Sequence, residues 1–186
     1  MMVGRWIGVG FAAALLTALG CSNGGSDAPP STNMIACTDG GAAAANAVTT
    51  VCGGAAGTTT EIVKIVMGGP AAGTTTLQGL NFDITYDSTK LQWVSASSTS
   101  PLFPGALVVV ALANGAPGRV VVGIQMTGGA TVDVASGQHD VLTLNIQRAS
   151  GVSFAPTPVA FDPAASGATP TTAPVTFTGS LALSYP

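Results

Sequence analysis

The sequence predicts an all-β domain, a sandwich of about eight or nine strands in two antiparallel sheets packed face to face. Three observations carry that prediction. From about residue 58, apolar runs recur every 10 to 15 residues with Gly, Pro, Asn and Asp between them, the spacing of a sandwich or barrel. Within one run, Leu80, Phe82, Ile84 and Tyr86 alternate with Asn81, Asp83 and Thr85, so a strand sends the first set to one face and the second set to the other. No helical segment joins the runs, so there are no βαβ units and no parallel α/β sheet.

Each strand is readable in order. Glu61 to Met67 is short and β-branched, and Leu77 to Tyr86 carries the alternation. Leu91 to Val94 follows a turn at residues 87–90, where Asp87 is suited to an Asx cap. Ala106 to Ala113 and Arg119 to Met126 flank Asn114-Gly-Ala-Pro-Gly, a hairpin connection. Val141 to Ile146, Val152 to Phe154, Val159 to Phe161 and Val175 to Tyr185 complete the set. A domain of about 130 residues, 58–186, is long enough to bury a core without further help.

Composition narrows the function. Of 186 residues only 7% are charged, with five Lys or Arg and eight Asp or Glu, against about 25% in an average soluble domain. Small residues replace them: 30 Ala, 25 Gly and 23 Thr. Five cations cannot neutralise a phosphate backbone, so nucleic acid is excluded as a partner. The low Glu, Lys, Leu and Arg content excludes a coiled coil or helical bundle.

The N-terminus reads as an address. Arg5 supplies a positive start, and Ile7 to Leu19 is an uncharged apolar run of 13 residues. A membrane span needs about 20 residues, so the run reads as part of a secretory signal over residues 1–20. It ends in Ala18-Leu19-Gly20-Cys21, which resembles a bacterial lipobox. That resemblance implies that Cys21 becomes the lipidated N-terminus of an exported lipoprotein. Ser22 rather than Asp after the Cys is similar to an outer-membrane sorting signal, on the periplasmic side or at the cell surface.

Residues 21–57 are expected to form a tether and a small loop. Residues 22–36 are a Gly, Pro, Ser and Asn spacer, and 37–60 are rich in Ala, Gly and Thr. Cys37 and Cys52 remain as a pair in an oxidising compartment, and a disulfide is expected between them. No CxxC and no nearby His points to a redox or metal site instead.

The segment LNFDITYDSTKLQWVSASS resembles the cohesin family, through Phe82, Ile84, Tyr86, Asp87, Leu91 and Val94. The resemblance continues in the strand, Gly-containing loop and strand from Gly118 to Gln147, and covers roughly residues 58–165. It implies a nine-stranded jelly roll and a non-catalytic binding role. In cellulosomes that role is the capture of dockerin modules on polysaccharide-degrading enzymes, so a protein partner or a polysaccharide is expected. It further implies that the partner surface is the solvent side of one sheet, where the matching strand offers Asn81, Asp83 and Thr85 beside Gly79. Ser88 stands where the family usually has Pro, and Asn81 where it often has an acidic residue. The alternative is a structural envelope-assembly or secretion-associated lipoprotein whose sandwich docks another envelope protein.

Catalytic groups are sparse. Glycoside hydrolysis needs two carboxylates facing one bond, and the eight here are dispersed. His139-Asp140 is expected in a loop between strands, with no GxSxG serine to serve. No metal or cofactor is implied, because zinc ligands are too few and no DxDxDG pattern appears. Trp93 reads as a core or sheet-face aromatic rather than a sugar-stacking platform.

Overall fold

The computed structural model describes residues 34–171 and 173–186. The signal segment and Cys21 lie outside the described residues. The described part is an all-β jelly-roll sandwich. Its strands are β1 (Ala36–Thr38), β2 (Ala47–Ala55), β3 (Thr60–Gly68), β4 (Thr75–Tyr86), β5 (Leu91–Ala96), β6 (Leu107–Leu112), β7 (Arg119–Gln125), β8 (Val132–Val134), β9 (Gln138–Arg148), β10 (Phe154–Phe161), β11 (Gly167–Thr171), β12 (Thr176–Phe177) and β13 (Ser180–Tyr185).

Sheet A runs β1-β13-β10-β4-β7-β6, with β8 and β11 also paired to β4. Sheet B runs β12-β2-β3-β9-β5. Every strand pair is antiparallel except β12 with β2, which is parallel. The alternation read from the sequence sets the faces of β4. Leu80, Phe82, Ile84 and Tyr86 are buried between the sheets. They meet Val63, Ile65 and Met67 of β3, Val120, Val122 and Ile124 of β7, and Leu142, Leu144 and Ile146 of β9 within one core. Phe82 and Phe161 stack edge to face with centroids 5.5 Å apart, and Phe177 joins them at 5.5 and 6.0 Å.

β4 is longer than any one neighbour. Along one edge it pairs with β10 through Ile84–Tyr86 and with β11 through Leu77–Asn81. The short 3₁₀ turn at Pro163–Ala165 joins those two partners. Asp162 caps it by accepting a hydrogen bond from the Ala164 amide at 3.1 Å, while its own amide donates to the Asp83 carbonyl at 2.9 Å.

Three expectations are corrected. The Ala, Gly and Thr stretch expected as a loop contains β1 and β2, and β2 pairs with β3 over eight residue positions from Ala47–Gly68 to Ala55–Glu61. Ala47, Val48, Thr49 and Thr50 are buried there, so the sandwich begins near residue 35 and not at 58. Backbone pairing, which any residue supplies, holds this strand, and small side chains give it no amphipathic signature. Among the described residues there are thirteen strands rather than eight or nine. Two expected runs merge into β10, the last splits into β12 and β13, and β8 and β11 are short pieces along β4. His139 and Asp140 lie in β9, which starts at Gln138, and not in a loop.

The expected disulfide is formed. Cys37 of β1 and Cys52 of β2 are bonded, Cα atoms 5.9 Å apart, and tie the edge of sheet A to sheet B.

Candidate functional site

The solvent side of sheet A is built by four strands in register. Across β6, β7, β4 and β11, one row reads Val109, Gly123, Asn81, Gly167 and the next Leu107, Gln125, Gly79, Thr169. Glycine alternates with side chains in the first row and interrupts the second at Gly79, and the result is a shallow groove of about 180 Å³. Leu107, Val109, Asn81, Gln125 and Thr169 form its walls and Gly123 part of its floor. A Cβ on Gly123 would meet nothing within 4 Å, whereas one on Gly79 would run into the Ile124 carbonyl. The first glycine leaves space and the second is required by close strand packing.

The face is apolar where a solvated sheet would be polar. Leu107, Val109 and Val121 are 61%, 53% and 40% exposed, three of the five large hydrophobics most open to solvent among the described residues. Asn81, Gln125 and Thr169 supply neutral hydrogen-bonding groups beside them.

The three residues singled out from the sequence take different roles. Asn81 is exposed and forms part of the groove wall. Asp83 lies on the same strand face but is only 5% exposed. Its carboxylate accepts from Arg119 Nε, and Arg119 Nη2 lies 3.4 Å from Asp162 Oδ2, so one guanidinium joins the two carboxylates. Thr85 is half-buried and donates to the Ala160 carbonyl at 3.2 Å. Sequence reasoning missed Leu107, Val109, Val121 and Gly123. The signal was present in the unbroken apolar run of β6, which no single buried face accounts for.

Other titratable groups serve the fold. Asp87 caps its turn: Oδ1 accepts from the Thr89 amide at 3.0 Å and hydroxyl at 2.6 Å, and Lys90 Nζ lies 3.1 Å from Oδ2. The Thr89 hydroxyl, then Lys90, hold its pKa down at about 2. Asp39 accepts from the Gly41 and Cys52 amides. Glu61 is 2% exposed and accepts from the Gly54 amide at 2.9 Å. Burial pushes its carboxyl pKa up, and the Gly54 hydrogen bond partly opposes the shift. Its oxygen and the Cys37 and Cys52 sulfurs all lie within 4.8 Å of one another, but the sulfurs are bonded to each other. Trp93 is half-buried against the core.

The fold has known counterparts. The third ScaC cohesin of Acetivibrio cellulolyticus, solved with a ScaB dockerin, superposes with a TM-score of 0.53 at 14% identity, over 72% of this chain and 94% of that one. The sixth cohesin of scaffoldin B from Acetivibrio cellulolyticus, solved with a Cel5 dockerin variant, gives 0.50 at 21% identity, over 72% and 92%. The seventh ScaB type I cohesin of Pseudobacteroides cellulosolvens gives 0.50 at 12%, over 72% and 88%. The chain has the cohesin fold. At these identities the likeness is one of fold. No family model and no curated protein matches the sequence. The cohesin-like sandwich agrees with the resemblance read from Phe82 through Val94.

Proposed function

We propose that this cohesin-like domain is a non-catalytic binding module that engages a folded protein partner through the solvent side of sheet A. The observation that carries the reading is the groove floored by Gly123 between Val109 and Asn81 and walled by exposed Leu107, with exposed Val121 two residues before Gly123 on β7. An apolar centre with neutral amides around it is the composition of a protein-recognition surface. The cohesins of the same fold solved with dockerins support a partner of dockerin type. The engaged carboxylates agree with a binding role, since Asp83, Asp87 and Asp162 are held by Arg119, Thr89 with Lys90, and Ala164. The reading also has the module displayed from the outer membrane on a lipid at Cys21, which the N-terminal sequence supports.

The test uses residues 32–186, which contain the whole described core and the disulfide. Purified dockerins are titrated against it, with insoluble polysaccharides in parallel. A saturable complex weakened more than tenfold by Gly123→Leu, which fills the groove without a clash, establishes the reading. Retention on polysaccharide alone, or capture only of envelope-assembly proteins, overturns it. For the anchor, Cys21→Ser in the full chain is expected to move the protein from the membrane to the soluble fraction.

A further inference from the structure

A sandwich has four sheet edges, and unpaired edges invite pairing with another chain. Three are blunted here. β1 has three residues and is tied down by the disulfide, and β12 has two. β5 carries a bulge at Val94, where its register with β9 shifts. The fourth edge, β6, is different. It runs six residues, Leu107–Leu112, in unbroken register with β7, without charge, proline or bulge. Among the described residues no strand pairs with its other side.

The surroundings of β6 are equally unprotected. From Leu91 to Gly118, 28 residues, the chain has no Asp, Glu, Lys, Arg or His. A groove of about 380 Å³ opens between β5 and β6, lined by Trp93, Val94, Ala96, Val108 and Val110. The Trp93 indole N–H is buried there without a hydrogen-bond partner. Core side chains that other edges cover are half-open at this one: Val108, Val110 and Leu112 are partly buried.

We propose that the β6 edge pairs antiparallel with β6 of a second copy of this chain, forming a two-fold dimer that continues sheet A. Sequence self-complementarity selects the occupant. With the axis at Val109 or Val110, outward residues oppose outward ones and inward oppose inward, so every cross-strand pair from Leu107 to Leu112 is aliphatic. The uncharged stretch lets two acidic chains meet without like charges across the axis. A two-fold contact uses up both β6 edges, and the other three edges are blunted, so association stops at two. The footprint is small. A six-residue edge is about 20 Å long and the sheets about 10 Å apart, which puts the interface at the low end of specific contacts, with a dissociation constant of about 10 µM to 1 mM. The proposed contact is made by the backbone edge of β6, while Leu107 and Val109 of the same strand also wall the groove on the solvent side of sheet A.

Sedimentation velocity of residues 32–186 from about 5 µM to 1 mM tests it, with Trp93 emission as a local readout because it is the one Trp in that segment. The expected result is a monomer–dimer equilibrium with a blue shift of Trp93 as dimer forms. Val109→Lys and, separately, Ala111→Lys are expected to weaken it about tenfold or more by setting charge on the uncharged edge, whereas Gly123→Leu leaves it within about twofold. Both lysine sites are exposed, so the fold tolerates them. A monomer throughout the range, a dimer indifferent to both lysines, or open-ended growth into larger species overturns the proposal. Loss of dockerin binding in Gly123→Leu with the dimer intact separates the two readings.

Discussion

Glu61 shows how one side chain sets a pH dependence. It lies on the buried face of β3 with Val63 and Ile65, and burial raises its pKa above the ordinary 4.5. The folded state therefore favours the neutral acid. The resulting stability is complete below the unfolded pKa and is lost as pH rises through the folded one. Glu61→Gln keeps an oxygen for the Gly54 amide and removes the buried charge. Its melting temperature is expected to overtake that of the parent as pH rises from about 4 to 7. Parallel melting curves would show that the carboxyl does not titrate in the fold. Beside Glu61, the Cys37–Cys52 bond closes a loop of separation 15. Replacing both cysteines by Ser is expected to cost about 3 kcal/mol, or about 10 °C in melting temperature. A drop below about 2 °C would assign the clamp to β1–β13 pairing instead.

At the scale of elements, β4 organises the molecule. It pairs with β7, β8, β10 and β11, carries Phe82 and Ile84 into the core, and presents Asn81 to solvent. Phe82 is fully buried within the aromatic trio, so Phe82→Ala is expected to destabilise by about 3–5 kcal/mol, read by chemical denaturation. A loss under about 1 kcal/mol would mean that Phe161 and Phe177 close the cavity. β4 was also the most legible element, because from Leu80 to Tyr86 alternate residues enter the core and a period of two results. β2 was illegible for the opposite reason. Its place depends on hydrogen bonds to β3, and AVTTVCGGA carries little apolar periodicity.

At the scale of the whole molecule, the boundary decides whether a core exists. A fragment from 58 to 186 lacks β1, β2 and both cysteines, and it opens the buried strand β3 to solvent along one edge. It is expected to lack the near-UV circular dichroism and cooperative melt that residues 32–186 show. A cooperative melt of the shorter fragment would make β2 an accessory strand. The candidate face is also a whole-molecule property. Leu107, Val109, Gly123 and Asn81 come from β6, β7 and β4, up to 42 positions apart in the chain between Asn81 and Gly123.

The sequence by itself determined the all-β class, the alternation that orients Phe82 and Asn81, the cap at Asp87 and the pairing of Cys37 with Cys52. These follow from local periods, turn chemistry and cysteine arithmetic, which act over a few residues or a single loop. Only the tertiary structure decided that Asp83 is closed off by Arg119 while Asn81 stays open, that residues 47–55 are a strand, and that apolar β6 is left, among the described residues, at an unpaired edge. Burial and edge position depend on which strands become neighbours, and strand order is fixed by long-range pairing that no local pattern encodes.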